Sequence, residues 1–148
     1  MEKEMKQEIR KIMFSSKKHN WITPKDTFND LDKEFHFNVD VCGDFENKLH
    51  PQLATWAYTF GLQVSWNNMT CWMNPPYGRE ITKWITKAYV ECKKNNALVV
   101  ALLPARTDTN WFWDFCIDQE IRLIKGRLKF SNHKNPAPFP SMVVIFRP

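Results

Sequence analysis

Residues 70–84 read TCWMNPPYGREITKW. A β-prone lead-in, TCWM, stops at two consecutive prolines, and a helical pattern follows them. In EITKWITKAYVECKKNN (80–96), Ile81, Trp84, Ile85, Ala88 and Cys92 recur at three- and four-residue spacing, which predicts an amphipathic helix. ALVVALLP (97–104) is then a continuous apolar run, suited to a strand buried on both faces of a parallel sheet. Strand, loop, helix and buried strand in this order predict an α/β sheet.

The flanking segments extend that pattern. FNVDVCG (37–43) alternates like a short strand and ends on a glycine. In WITPKDTFNDLDKEF (21–35), Phe28, Leu31 and Phe35 predict a helix, with Thr23 as N-cap and Pro24 at its first position. HPQLATWAYTFG (50–61) predicts another helix between a proline and a glycine, followed by LQVSW as a short strand and NNMT as a turn. TNWFWDFCI (109–117) predicts a helix in which Trp111 and Trp113 belong to the core rather than to base stacking. EIRLIKGRLKF (120–130) and SMVVIFRP (141–148) predict a closing antiparallel strand pair, joined by a loop containing NHKNPAPFP. Residues 1–19 are expected to be a helical or flexible leader, and residues 20–148 a single domain.

Bulk composition narrows the class. A chain of 148 residues suits one domain with a full core. Its +5 formal charge favours a polyanionic partner, and its seven tryptophans include candidates for stacking on bases. Cys42, Cys71, Cys92 and Cys116 form no C-x-x-C pair and the histidines stand singly, so free thiols and no metal are expected. The charged opening MEKEMKQEIRKIM lacks the apolar core of a signal peptide, and no run of about 18 apolar residues could cross a bilayer. A soluble intracellular protein is expected.

A helix start accounts for one proline after Asn74, but not for the second or for Tyr77. A chance Asn-Pro-Pro-aromatic string has a probability of roughly one in a thousand in a chain this long, at ordinary proline usage. A reading that uses every residue concerns an exocyclic amine on adenine or cytosine, whose lone pair is delocalised into the ring. Accepting hydrogen bonds from both N–H groups draws that nitrogen towards tetrahedral geometry and frees the lone pair. The Asn74 side-chain oxygen can accept one bond and the Pro75 carbonyl the other. Pro75 and Pro76 stiffen the loop, so both acceptors are set in advance. Tyr77 offers a face for the base. A base within a duplex would have to flip out to reach them.

Asn74-Pro75-Pro76-Tyr77 resembles the (Asp/Asn)-Pro-Pro-(Tyr/Phe/Trp) motif of S-adenosylmethionine-dependent amino-methyltransferases. The order and spacing of WITP, FNVDVCGDFEN, CWMNPPYGREITKWITKA, LLPARTDTNWF, GRLKF and PFPSMVVIF resemble the phage-type DNA N6-adenine methyltransferase (Dam-like) family over roughly residues 20–148. The resemblance implies a compact, reduced Rossmann-like methyltransferase fold, with a mostly parallel sheet and an antiparallel C-terminal strand pair. It implies S-adenosylmethionine as cofactor, with Trp21, Thr23 and Pro24 by its methionine part and Asp40 facing its cationic amino-acid end. Cys42, Gly43 and Asn74 complete that side, with Glu46 and Asn47 as candidates for the ribose hydroxyls. The turn after Asp40 has one glycine where many methyltransferases have several, and the span from Asp40 to Asn74 is short for two βα units. One unit is therefore expected to be reduced. Double-stranded DNA is the implied partner, with Arg79, Lys83, Arg106, Arg127 and Lys129 as candidate phosphate contacts. A phage or prophage origin and the cytoplasm of a bacterial host are implied in the same way.

Other readings fit the same residues. Cytosine N4, RNA or a protein glutamine could take the methyl group. A catalytically silent nucleic-acid-binding module could keep the same fold. A nuclease is disfavoured, because no clustered acidic metal-ligand pattern is present.

Overall fold

The computed structural model describes residues 1–7 and 21–148, apart from the side chains of residues 58 and 59. Residues 2–7 of the expected leader are helical; its residues 8–19 lie outside the described residues. Helix α1 (Lys25–Phe35) leads into β1 (Val39–Gly43), a 3-10 turn (Phe45–Asn47), β2 (Ala54–Ala57) and one helical turn (Tyr58–Gly61). Next come β3 (Thr70–Met73), α2 (Ile81–Asn95), β4 (Leu98–Pro104), a π-type turn (Phe112–Cys116), β5 (Glu120–Leu123) and β6 (Ser141–Phe146).

The strands form one six-stranded sheet in the order β2-β1-β3-β4-β6-β5. The first four in that order run parallel, and β6 runs antiparallel to both β4 and β5. The mostly parallel α/β sheet with an antiparallel C-terminal pair is therefore present. After β1 the chain steps to one side to make β2, then to the other to make β3. That reversal puts a crevice beyond the carboxyl ends of β1 and β3, where α/β sheets bind ligands.

Burial explains the middle of the sheet. All six residues of β6 are buried, as are six of the seven in β4. Ile81, Trp84, Ile85, Ala88 and Cys92 of α2 are buried together, as their spacing predicts. Glu91 joins them at 3% exposure. Its carboxylate accepts hydrogen bonds from the Trp66 amide (2.9 Å), Asn95 Nδ2 (2.8 Å) and Lys87 Nζ (2.6 Å). Burial pushes its pKa up, but those bonds outweigh burial and hold it below the usual carboxylate value.

Four local expectations are corrected. The helix predicted over residues 50–61 is instead β2 and one helical turn, because Ala54–Ala57 pairs with β1. Gly61 does not cap a helix in open space: a Cβ there would stand 1.9 Å from the Val41 carbonyl oxygen. LQVSW makes no strand; side chains hold it, with the Trp66 amide on Glu91 and the indole N–H on the Gly61 carbonyl (2.9 Å). The helix over 109–117 is mainly the π-type turn, and the strand over 120–130 ends at Leu123. The unit between β1 and β3 is indeed reduced, since no full helix joins β1, β2 and β3.

Candidate active site

Asn74 follows the last residue of β3, but it caps no helix, because α2 begins only at Ile81. Gly78 makes the intervening turn at φ +103°, a region that costs a glycine little. The Asn74 amide nitrogen instead donates to the Trp21 backbone carbonyl and to Thr23 Oγ1 (2.9 Å). A backbone carbonyl can only accept, so this contact fixes which way round the amide sits. Asn74 Oδ1 is thereby left buried with no donor among the described residues. Such an orphan costs about 1–3 kcal/mol, and a substrate N–H would satisfy it. Thr23 was expected to cap α1. The cap residue is Pro24, with no side-chain cap, and the 4%-exposed Thr23 hydroxyl serves Asn74 instead.

Beside Asn74 lies a recess lined by Trp21, Thr23, Asp40 and Cys42, all of them expected. Pro24, Gly43 and Glu46 do not line it. Of the two ribose candidates, Asn47 lines the recess, together with Asp44, and Glu46 does not. The Asp44 carboxylate accepts from the Glu46 amide and from Asn47 Nδ2, both at 2.9 Å, which shapes the turn after β1. Gly43 answers to packing: a Cβ there would lie 2.1 Å from Thr55 Cγ2 on β2.

Asp40 is 6% exposed. Burial pushes its pKa up from 3.8 to about 7; a hydrogen bond from the Cys42 amide (3.2 Å) opposes the rise, and the Asp44 charge adds to it. No cationic side chain is paired with it among the described residues. A buried carboxyl without a counter-charge suits a ligand that brings one.

Pro75 is buried and Pro76 half-buried. Tyr77 is 3% exposed, with its hydroxyl donating to the Leu102 carbonyl at 3.1 Å. Its ring packs edge-on against Phe139 (5.6 Å) and Phe130 (6.3 Å). Burial pushes the phenol pKa up, so it stays neutral. The expected open stacking face is not presented; in this arrangement Tyr77 anchors the loop from below.

Arg79, Lys83, Arg106, Arg127 and Lys129 are all exposed. Arg79 and Arg106 follow β3 and β4. Arg127 and Lys129 sit in residues 124–140, which start and end at the same sheet edge by the pairings Leu123–Met142 and Pro104–Ser141. Four of them thus lie in segments that leave or return to the carboxyl edge, and Lys83 lies in the first turn of α2. Lys83 is ion-paired to Glu80 at 3.2 Å, on the surface. Lys125 and Lys134, which the sequence reading passed over, lie in the same loop and are exposed.

Sequence reading also missed how Trp21–Thr23 is held. The Ile22 amide donates to Asn132 Oδ1 (3.0 Å), the Ser131 amide to the Ile22 carbonyl (2.9 Å), and Ser131 Oγ to the Thr23 carbonyl (3.1 Å). His133 stacks on Trp21 at 3.9 Å. These partners stand more than 100 residues apart in the chain, so no local pattern announces them. Trp111 is buried as expected, but Trp113 is 61% exposed, which corrects its assignment to the core.

No group of three or more metal-ligating side chains occurs among the described residues, and no described helix is long and apolar enough to cross a membrane. No solved structure gives a significant match. A protein of Haemophilus phage HP1 (strain HP1c1), described as a DNA N-6-adenine-methyltransferase, is 28% identical over 148 residues, covering 90% of this chain and 81% of the relative. Another of that description, from Escherichia phage T1, is 31% identical over 94 residues, covering 62% of this chain and 38% of the relative. The family model for DNA N-6-adenine-methyltransferase (Dam) matches residues 11–148, a span that contains Asn74, Asp40 and the loops around them. The chain belongs to the DNA N-6-adenine-methyltransferase (Dam) family.

Proposed function

We propose that the chain transfers a methyl group from S-adenosylmethionine to N6 of an adenine flipped out of double-stranded DNA, on a reduced Rossmann-like methyltransferase fold. The observation that carries this reading is the buried Asn74 Oδ1, without a donor among the described residues, on an amide locked by Trp21 and Thr23. Both residues that lock the amide also line the recess.

The residues fit the cofactor. Asp40 supplies a negative charge for its ammonium group, with Trp21, Thr23 and Cys42 around it, and Asn47, which lines the recess where Glu46 does not, would serve the ribose. When bound, S-adenosylmethionine supplies an electrophilic methyl group. Asn74 Oδ1 and the Pro75 carbonyl accept the two N–H bonds of the adenine amine and raise its nucleophilicity. Neither is a carboxylate, so they orient and polarise, and the proton leaves to solvent after the new bond forms. Pro76 and the Tyr77–Leu102 hydrogen bond hold the loop stiff, so the acceptors need little reorganisation. Arg79, Lys83, Arg106, Arg127 and Lys129 hold DNA phosphates at the sheet edge.

The test is product identity. The protein is incubated with labelled S-adenosylmethionine and unmethylated duplex DNA, and the DNA is digested to nucleosides for mass spectrometry. Label in N6-methyladenosine's deoxy form supports the reading. Label on cytosine N4, or none on any DNA, overturns it.

A further inference from the structure

We propose that Trp113 is a stacking contact for DNA, lying against a base that loses its neighbour when the target adenine leaves the duplex. This rests on the methyltransferase reading above and names a residue that holds its substrate.

Trp113 is 61% exposed, although an indole gains more from burial than most side chains. It does not hang free. Its N–H donates to the Thr107 carbonyl at 2.8 Å, and Phe112 packs edge-on against it at 6.0 Å. The ring is therefore held in one place with much of its surface open, which lowers the entropy lost on contact. The backbone beneath it is a π-type turn, closed by the Ile117 amide on the Phe112 carbonyl at 2.9 Å. Such turns are uncommon and concentrate at functional sites.

Position decides what the ring could meet. Thr107 belongs to the loop that leaves β4 at the carboxyl edge of the sheet. Arg106, next in that loop, is exposed and forms no ion pair among the described residues. Its guanidinium lies over Phe139 at 5.8 Å. Phe139 in turn packs edge-on against Tyr77 at 5.6 Å and Trp21 at 5.0 Å. Trp113 is thus tethered to the loop that carries Arg106, and through Arg106 and Phe139 that loop reaches the aromatic cluster around Tyr77 and Trp21. A flat, sequence-tolerant π-face next to a phosphate-binding charge is the pairing that captures unstacked nucleic acid.

The experiment measures binding of the full-length protein to a fluorescein-labelled duplex that the wild type methylates, across a salt series. Trp113→Ala should raise Kd roughly tenfold, within the range for one base–aromatic stack, and leave the salt slope unchanged. Trp113→Phe keeps a ring and should stay within about threefold of wild type. Arg106→Gln should instead lower the slope by about 0.9. S-adenosylmethionine binding and Tm should hold for both Trp113 variants. Wild-type DNA affinity in Trp113→Ala overturns the proposal, as does equal loss in Ala and Phe. So does a change confined to self-association, which would make the ring a contact between copies. If the wild type neither binds nor methylates DNA, the methyltransferase reading itself fails, a result distinct from these.

Discussion

Replacing Asp40 should separate folding from function. Its carboxyl is 6% exposed and accepts one hydrogen bond, from the Cys42 amide. Burial raises its pKa from 3.8 to about 7. The folded chain therefore holds the Asp40 proton more tightly than the unfolded chain does. The resulting stability is fully present below pH 3.8 and is lost as pH rises through about 7. About 3 units at about 1.4 kcal/mol each make the loss about 4 kcal/mol. Asparagine cannot ionise, and it keeps the oxygen that accepts from Cys42. Asp40→Asn should match wild type near pH 4 and exceed it by about 4 kcal/mol above pH 7, roughly 10 °C in Tm. Ligand binding should move the other way. Wild type should bind S-adenosylmethionine about tenfold more weakly for each pH unit below about 7, because only the ionised fraction is competent. Asp40→Asn should bind weakly at every pH. Calorimetric melts from pH 4 to 8, with and without the ligand, read both effects. Parallel stability profiles for the two proteins would refute the proton-holding carboxyl. A stabilised variant with wild-type cofactor affinity would refute its role in binding.

Other perturbations address packing and the clamp. Gly43→Ala should cost roughly 2 kcal/mol in urea melts through its clash with Thr55. Adding Thr55→Ser, which removes the offending methyl group, should restore most of that loss, whereas a loss caused by ligand approach would persist. Glu91→Ala removes the partner of the Trp66 amide, Asn95 and Lys87 and should cost about 3 kcal/mol at pH 7. Asn74→Asp sets a carboxylate against the Trp21 carbonyl in place of a donor. It should cost about 2 kcal/mol and slow methylation, as stability and initial-rate measurements would register.

Periodicity made much of this fold legible. The buried stripe of α2, the apolar run of β4 and the short alternation of β1 each carry their own signal. β2 does not: Ala54–Ala57 is too short to alternate, and Pro51 and Gly61 frame it like a helix. Its strand conformation comes from pairing with β1, a tertiary effect that overrides local preference. LQVSW misleads for the same reason, since a side chain on α2 takes the Trp66 amide. Within the candidate site, Asn74 stands out in the sequence because it follows β3 directly, whereas Asp40 is the second residue of β1 and is marked by its burial rather than by a strand end. The partners of Asn74 do not stand out, because Trp21 and Thr23 reach it only through the fold. Tyr77 shows the reverse error: an aromatic in the right motif is legible, but its burial against Phe130 and Phe139 is not. The aromatic neighbours of Trp113 read as core, yet the ring is 61% exposed within the π-type turn.

The most direct measurement is the single-turnover rate of methyl transfer by Asn74→Ala, with DNA and S-adenosylmethionine both saturating. If Oδ1 accepts the adenine amine, the rate should fall by about 10²–10³, the effect of removing one preorganised polar contact from a transition state. Kd for DNA should stay within about threefold, because the phosphate contacts that dominate it are untouched. A rate near wild type at saturation would contradict the clamp.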